Sequence, residues 1–285
     1  MTMTTAVALF VLQAAVAPTA VVRSLTVSVT DDRGAAVEGL ARDDLAVVEN
    51  GVAREVTHVE VDSRPLTVAI IVDTSEEVGS VFRLHVADAV TAFLGRLPEG
   101  SRFTVWTTGD RPTKIVDLTD DAAAASKALK RAIASGGNTL LDALVEASRE
   151  LKKQEGSRTA VVVVTGMTTN FGNRDSHSAA DQASKNADLF LAVQYDEGLA
   201  DFDARVAYDY ALGTLVKKTG GLYEASLSAM GTSAALQKLS GQLRGRYRVS
   251  YATLSEVKSR KVEVQVARPG AKARVVVSAP GPSNP

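Results

Sequence analysis

The sequence predicts an α/β fold, a doubly wound and mainly parallel sheet inserted in a small β-sandwich formed by the N- and C-terminal segments. Three observations predict it. Alternating strand patterns crowd both ends of the chain, continuous apolar runs alternate with helical patterns between them, and neither end alone has enough strands for a stable sandwich.

Residues 1–20 come first. Ala6–Ala17, "AVALFVLQAAVA", is an apolar run too short to span a bilayer as a helix, and it ends on the small-x-small triplet Ala15-Val16-Ala17. It predicts an export signal, and with it a periplasmic or extracellular location. The residues before the run carry no Lys or Arg, which departs from the usual signal. No later segment is apolar enough over sufficient length to cross a membrane as a helix.

Residues 24–63 form the first half of the sandwich. Leu25, Val27 and Val29 alternate with Thr26, Ser28 and Thr30, as in a strand with one face buried. "LAVVE" then meets Asn50-Gly51 and "VAREVTHVEV". An Asn-Gly step between two such runs predicts a hairpin, because both residues tolerate the positive φ of the tight turn.

Residues 65–244 form the α/β domain. "LTVAIIV" lacks alternation, as in a strand covered on both faces, and Phe82, Val86, Ala89, Phe93 and Leu97 recur at helical spacing. Strands follow at "RFTVWTT", "RTAVVVVT" and "DLFLAVQY". Helices follow at "AAAASKALKRAIA", "TLLDALVEASRELKK", "SAADQASKNA", "VAYDYALGTLVKKT" and "TSAALQKLSGQL". Such alternation implies parallel strands joined by helical crossovers. Residues 245–278 supply the second half of the sandwich through "YRVSY", "KVEVQV" and "ARVVVS". In the first of these, Tyr247, Val249 and Tyr251 share the buried face, and Arg246 and Arg248 share the solvent face. Residues 279–285 are a Pro- and Gly-rich tail expected to be disordered.

Composition excludes several functions. With 32 basic and 33 acidic residues and no long run of either sign, the chain has no overall attraction for nucleic acid or an anionic membrane. It has no cysteine, hence no disulfide, thiolate metal site or cysteine nucleophile. Its three histidines, His58, His85 and His177, are not at zinc-ligand spacing. Its glycine pairs lack the patterns that cradle nucleotide phosphates.

The candidate site is Asp73 to Glu77. Ligands of open α/β sheets bind beyond the carboxyl ends of the strands, which is where this segment falls. Asp or Ser after a strand also caps a following helix, and spacing alone leaves both readings open. A phosphatase-type aspartate nucleophile would need a second carboxylate two residues on, where Ser75 stands. Asp73, Glu76 and Glu77 crowd one another, yet no nucleophile or substrate pocket accompanies them, so no enzyme is expected.

"IIVDTS" resembles the Asp-x-Ser-x-Ser opening of von Willebrand factor type A domains, a Rossmann-like family. "GGNTLLDAL" from Gly136 is similar to that family's second-loop motif. "VEGLARDDLAVVENG", "LVKKTGG" and "LSGQLRGRYRVSY" are similar to the secreted bacterial members. The resemblance implies a metal-ion-dependent adhesion site with Asp73, Ser75 and Thr139 as ligands. It also implies Mg²⁺ or Ca²⁺ as the ion and a protein partner bound through a carboxylate.

Two departures mark the site as modified. Glu77 replaces the second serine, and "VVVVTGMTTN" puts Gly166 or Met167 where the third loop commonly has aspartate. The carboxylate count is thereby unchanged, and Glu77 is long enough to reach the ion and close the site. Without metal, Glu76 and Glu77 would simply begin a helix, favoured there by the helix dipole. Glu76, Asn138, Thr165, Thr168, Thr169 and Asn170 complete the expected rim. The function so implied is a protein-binding module of adhesion type. The alternative is a structural or assembly component with an inert metal site, associating through sandwich edges.

Overall fold

The computed structural model describes residues 20–198, 201–254 and 260–276, so residues 1–19 of the expected export signal and the whole 279–285 tail lie outside the described residues. In chain order the first strands are β1 (Ala20–Asp31), β2 (Leu45–Glu49), β3 (Val52–Arg54) and β4 (Val56–Val61). Next come β5 (Leu66–Val72), α1 (Gly79–Val81), a π-helical turn over Phe82–Val86, α2 (Ala87–Leu94), β6 (Arg102–Thr107) and β7 (Thr113–Thr119). The middle continues through α3 (Ala122–Arg131), α4 (Leu140–Leu151), β8 (Arg158–Thr165), α5 (Ser176–Ala183), β9 (Leu189–Tyr195), α6 (Phe202–Thr219), β10 (Tyr223–Ser226) and α7 (Thr232–Arg244). β11 (Arg246–Leu254), β12 (Val262–Val266) and β13 (Ala271–Val276) close the chain.

Six strands form the central sheet in the order β10-β9-β8-β5-β6-β7, all parallel except β7. Every residue of β5 is buried, because strands flank it on both sides and helices cover both faces. Val68, Ile70 and Val72 pack with α2, α3 and α7, while Ala69 and Ile71 face α4, α5 and α6. That alternation is the period-2 pleat of a strand whose two faces are both apolar. Strand β7, which the apolar pattern does not reveal, is an antiparallel edge reached by a tight turn in which Asp110 has φ of 57°.

The sandwich draws on both ends of the chain in each of its sheets. One sheet has the order β13-β1-β11-β4, the other β12-β2-β3. Leu25 pairs with Val249 and Val47 with Val264, and the core between the sheets holds Val27, Val29, Val47, Tyr247, Val249 and Tyr251. The Asn50-Gly51 turn joins β2 and β3 with φ of 51° and 80°. That hairpin is shorter than its sequence pattern: after Arg54 the chain crosses at Glu55, and β4 joins the opposite sheet.

The outer face of β1 is not solvated. Thr26, Ser28 and Thr30 are buried because this sheet packs on α7, where the Ser28 hydroxyl donates to the Gln242 carbonyl at 3.0 Å and Gln242 Nε2 donates to Thr30 Oγ1 at 3.3 Å. The same packing overturns the solvent-facing assignment of Arg246, which is 2% exposed. Burial lowers its pKa to about 10, and Nε and Nη2 find no partner among the described residues. Nearby, Arg158 donates to the carbonyls of Arg64 and Leu243, and Arg64 pairs with Asp62 at 2.7 Å. A small cluster of charges thus lies at the seam between sandwich and α/β unit.

Candidate functional site

β5 ends on Val72, so Asp73 is delivered to the carboxyl end of the central sheet, where its N–H still reaches the Val164 carbonyl of β8 at 2.8 Å. The chain then turns back on the Asp73 side chain. Oδ1 accepts from the Ser75 N–H at 3.0 Å and the Ser75 hydroxyl at 2.8 Å. Oδ2 accepts from Asn138 Nδ2 at 2.9 Å, Gly166 N–H at 3.0 Å, Thr165 Oγ1 at 3.1 Å and Thr168 Oγ1 at 3.4 Å. Ser75 and Thr168 share a further hydroxyl hydrogen bond of 2.8 Å. Donors from three loops therefore converge on one buried carboxylate, which is 1% exposed.

Each loop is shaped to make this convergence. Asn138 Oδ1 accepts the Leu140 N–H at the start of α4 at 3.0 Å, which fixes the amide so that its NH₂ points at Asp73. Gly136 has φ of 57°, and Gly137 leaves room for the Phe171 ring: a Cβ there would lie 1.9 Å from it. In the third loop Met167 has φ of 59°, an uncommon backbone for a non-glycine residue, and its side chain is fully buried. This turn presents the Gly166 N–H to Asp73 in place of a side-chain carboxylate.

The expected ligands do not all meet. Asp73 and Ser75 do. Among the described residues Thr139 makes no hydrogen bond with them: its hydroxyl donates to the Thr108 carbonyl at 2.7 Å, and the residue bonded to Asp73 from the second loop is its neighbour Asn138. The register differs by one because Asn138 both caps α4 and bridges inward, a double role that "GGNTLLDAL" does not disclose. Glu77 is exposed, and among the described residues it makes no hydrogen bond with the Asp73 network. It does not close a site over Ser75. Glu76 is exposed beside the second loop, its N–H donating to the Gly136 carbonyl at 2.9 Å.

Of the rim residues, Thr165 and Thr168 belong to the network itself, whereas Thr169 and Asn170 form its partly exposed border. The Thr169 carbonyl accepts the Asn138 N–H at 3.3 Å, and Asn170 Oδ1 accepts from the Tyr208 hydroxyl at 3.3 Å. Two tyrosines missing from the sequence-based set back the site. Burial, reinforced by the Asp73 charge, raises the pKa of both Tyr195 and Tyr208, keeping the phenols neutral. Phe171 lies in the third loop, Met167 to Asp175, which the sequence reading takes as an adjustable rim without singling this residue out; it is 65% exposed although its ring covers Gly137. Its sequence context, a lone aromatic in a polar loop, carries a signal only once the loops are placed.

A divalent hard cation needs roughly six oxygen ligands, commonly with one or two carboxylates from the protein. Here Asp73 is the lone carboxylate of the network, its oxygens are engaged by protein N–H and O–H groups, and an NH₂ group, which cannot ligate, takes the second-loop position. The donor set does not fit the cation that the sequence resemblance implies.

Residues 68–168 match the family model of the von Willebrand factor type A domain. No curated protein matches the sequence. Among solved structures, proximal thread matrix protein 1 from the mussel byssus superposes with a TM-score of 0.55 at 17% identity, over 70% of this chain and 51% of that one. The same mussel protein with a zinc-occupied MIDAS motif gives 0.54 at 18% identity, over 69% and 50%. A von Willebrand factor type A protein from Catenulispora acidiphila gives 0.56 at 11% identity, over 92% of this chain and 72% of that one. The chain thus spans about half the length of the mussel protein, and these likenesses concern the fold. Over residues 68–168 the α/β unit of this chain matches the von Willebrand factor type A family model, and its central sheet shares the fold of these solved structures.

Proposed function

We propose that this chain is an exported protein-binding module of the adhesion type, not an enzyme, and that it binds through the surface at the carboxyl end of its parallel sheet. The observation carrying this reading is Phe171. An aromatic ring 65% open to solvent packs on Gly137, over a backbone fixed by the Phe171 N–H, which donates to the Asn138 carbonyl at 2.8 Å. Exposed aromatics next to polar rims are the usual centres of protein interfaces. Thr169, Asn170, Glu76 and Glu77 supply that rim.

The zinc of the mussel protein supports a cation at this end of the fold in that protein. Here the hydrogen bonds to Asp73 stand against Mg²⁺ or Ca²⁺, and without an ion a partner's carboxylate has nothing to bridge it. Contact then runs through Phe171 and the rim directly. Assembly through sandwich edges is less well supported. At three and five residues, the edge strands β3 and β12 of the smaller sheet offer only short templates for pairing.

Photocrosslinking in cells that make the protein tests this. A photoreactive phenylalanine analogue is placed at position 171, at exposed Val61 on the β4 edge, and at exposed Lys152 near the amino end of the sheet. A protein adduct at 171 and none at 152 is the expected result. Adducts at 61 with none at 171 would replace this reading with edge association.

A further inference from the structure

We infer that the side-chain amide of Asn138 stands in for a cation in this domain, so that the loops at the carboxyl end of the sheet are held in their binding arrangement with no metal at all. The inference rests on the reading of this surface as the binding site, but its test requires no partner, so either can fail alone.

Three observations carry it. The first is position: Asn138 Nδ2 lies 2.9 Å from Asp73 Oδ2, 3.3 Å from Thr168 Oγ1 and 3.5 Å from Thr165 Oγ1, and so sits among the oxygens that an ion would otherwise gather. The second is polarity. An NH₂ group is a donor carrying partial positive charge, and here it offers a buried carboxylate the compensation that a low-dielectric site requires. The third is fixation. Backbone bridges to Gly109 and Asn170 hold the residue in place, and the Leu140 N–H holds Oδ1, so the amide cannot turn away without losing that bond at the start of α4.

An ion and this amide are therefore mutually exclusive. A cation entering beside Asp73 Oδ2 would have to expel Nδ2 and reorient the hydroxyls of Thr165 and Thr168, with no second carboxylate in the network to compensate. The ordering of the three loops then becomes a permanent property of this sequence. Recognition at Phe171 and the rim follows as metal-independent.

The experiment uses the full chain with Mn²⁺, Mg²⁺ and Ca²⁺ at millimolar concentration against chelator, read by thermal unfolding and by titration calorimetry. An ion bound at about 100 times its Kd would raise Tm by roughly 5–10 °C. For the wild type we expect no shift and no saturable heat. Asn138→Asp replaces the donor by a second carboxylate facing Asp73; we expect its Tm to fall and to recover on adding Mn²⁺. Saturable Mn²⁺ binding by the wild type that Asp73→Asn abolishes would overturn the inference, and so would a folded Asn138→Asp that ignores all three ions. Should Asn138→Asp fail to fold, the wild-type titration decides alone.

Discussion

Asn138 Nδ2 donates to Asp73 Oδ2 at 2.9 Å, joining the start of α4 to the end of β5 across a sequence separation of 65 residues. Ser75, Thr165, Gly166 and Thr168 direct their donors to the same carboxylate, so Asp73 is a structural hub whatever it binds. Asp73→Ala leaves several buried donors without an acceptor, each costing about 1–3 kcal/mol before water partly replaces it. We expect a loss of about 3–5 kcal/mol, measured by urea unfolding, with Asp73→Asn losing less because its carbonyl oxygen keeps part of the network. Equal losses for the two variants would mean that the charge and the second acceptor oxygen, which both variants lack, carry the whole effect, and that the one carbonyl oxygen kept by Asn is worth nothing.

The central sheet was legible in the sequence because buried parallel strands are written as unbroken apolar runs: "LTVAIIV" and "RTAVVVVT" each fall on a strand buried throughout. The segment from Asp73 to Glu77 followed from lying just past such a run, and the choice of Asp73 and Ser75 within it from the family resemblance. What local patterns could not convey were relationships across the chain. β4 alternates like its hairpin partner yet leaves for the other sheet, and Arg246 occupies a polar position of β11 that would be solvated if the sheet had a free face. Thr139 matched a motif, but the hydroxyl it needed was drawn to Thr108, and the amide one residue earlier took its place. A spacing reports which residues are near in sequence; hydrogen-bond competition decides which of them points inward.

Gly137 connects loop packing to the proposed interface. Adding a methyl group there would meet Phe171 Cδ2 at 1.9 Å and Phe171 Cβ at 2.6 Å; the ring can rotate, but the Cβ moves only with the backbone of the third loop. Gly137→Ala should therefore cost about 1–3 kcal/mol while displacing the exposed aromatic. Binding of the crosslinked partner should fall at least as far as in Phe171→Ala, and Tm should fall further than in Phe171→Ala. Undiminished binding in both variants would remove Phe171 from the interface.

Arg246 is a buried cation whose two unpartnered nitrogens, Nε and Nη2, form one edge of the guanidinium. Burial lowers its pKa to about 10, which reports a cost to keeping the charge inside. Asp62, the nearest compensating carboxylate by charge after Asp188, is already engaged by Arg64. Arg246→Met keeps most of the aliphatic volume and removes the charge, so it should leave stability unchanged or raise it, by up to about 4 kcal/mol. Denaturant unfolding measures this directly. A large loss would show that the guanidinium is a net stabilising element of the seam.

Asp62 gives the seam a pH dependence. Burial alone would raise its pKa, but the Arg64 hydrogen bonds and the charges of Arg64 and Arg158 outweigh that and hold it below the ordinary 3.8. For a carboxylate whose folded pKa is depressed, the stabilisation is fully present above the unfolded value, near 4, and disappears as pH falls through the lower folded value. Its partner Arg64 is partly exposed, which limits the contribution to about 1–3 kcal/mol. Asp62→Asn should thus be less stable than wild type at pH 7 and show a shallower acid limb, since the amide has no proton to bind. The two urea-midpoint curves should converge below the folded pKa of Asp62, where the wild-type carboxyl is itself neutral. Curves that stay parallel into acid would mean that the carboxyl group titrates alike in the folded and unfolded chain, and that the Asp62–Arg64 pair contributes through shape rather than charge.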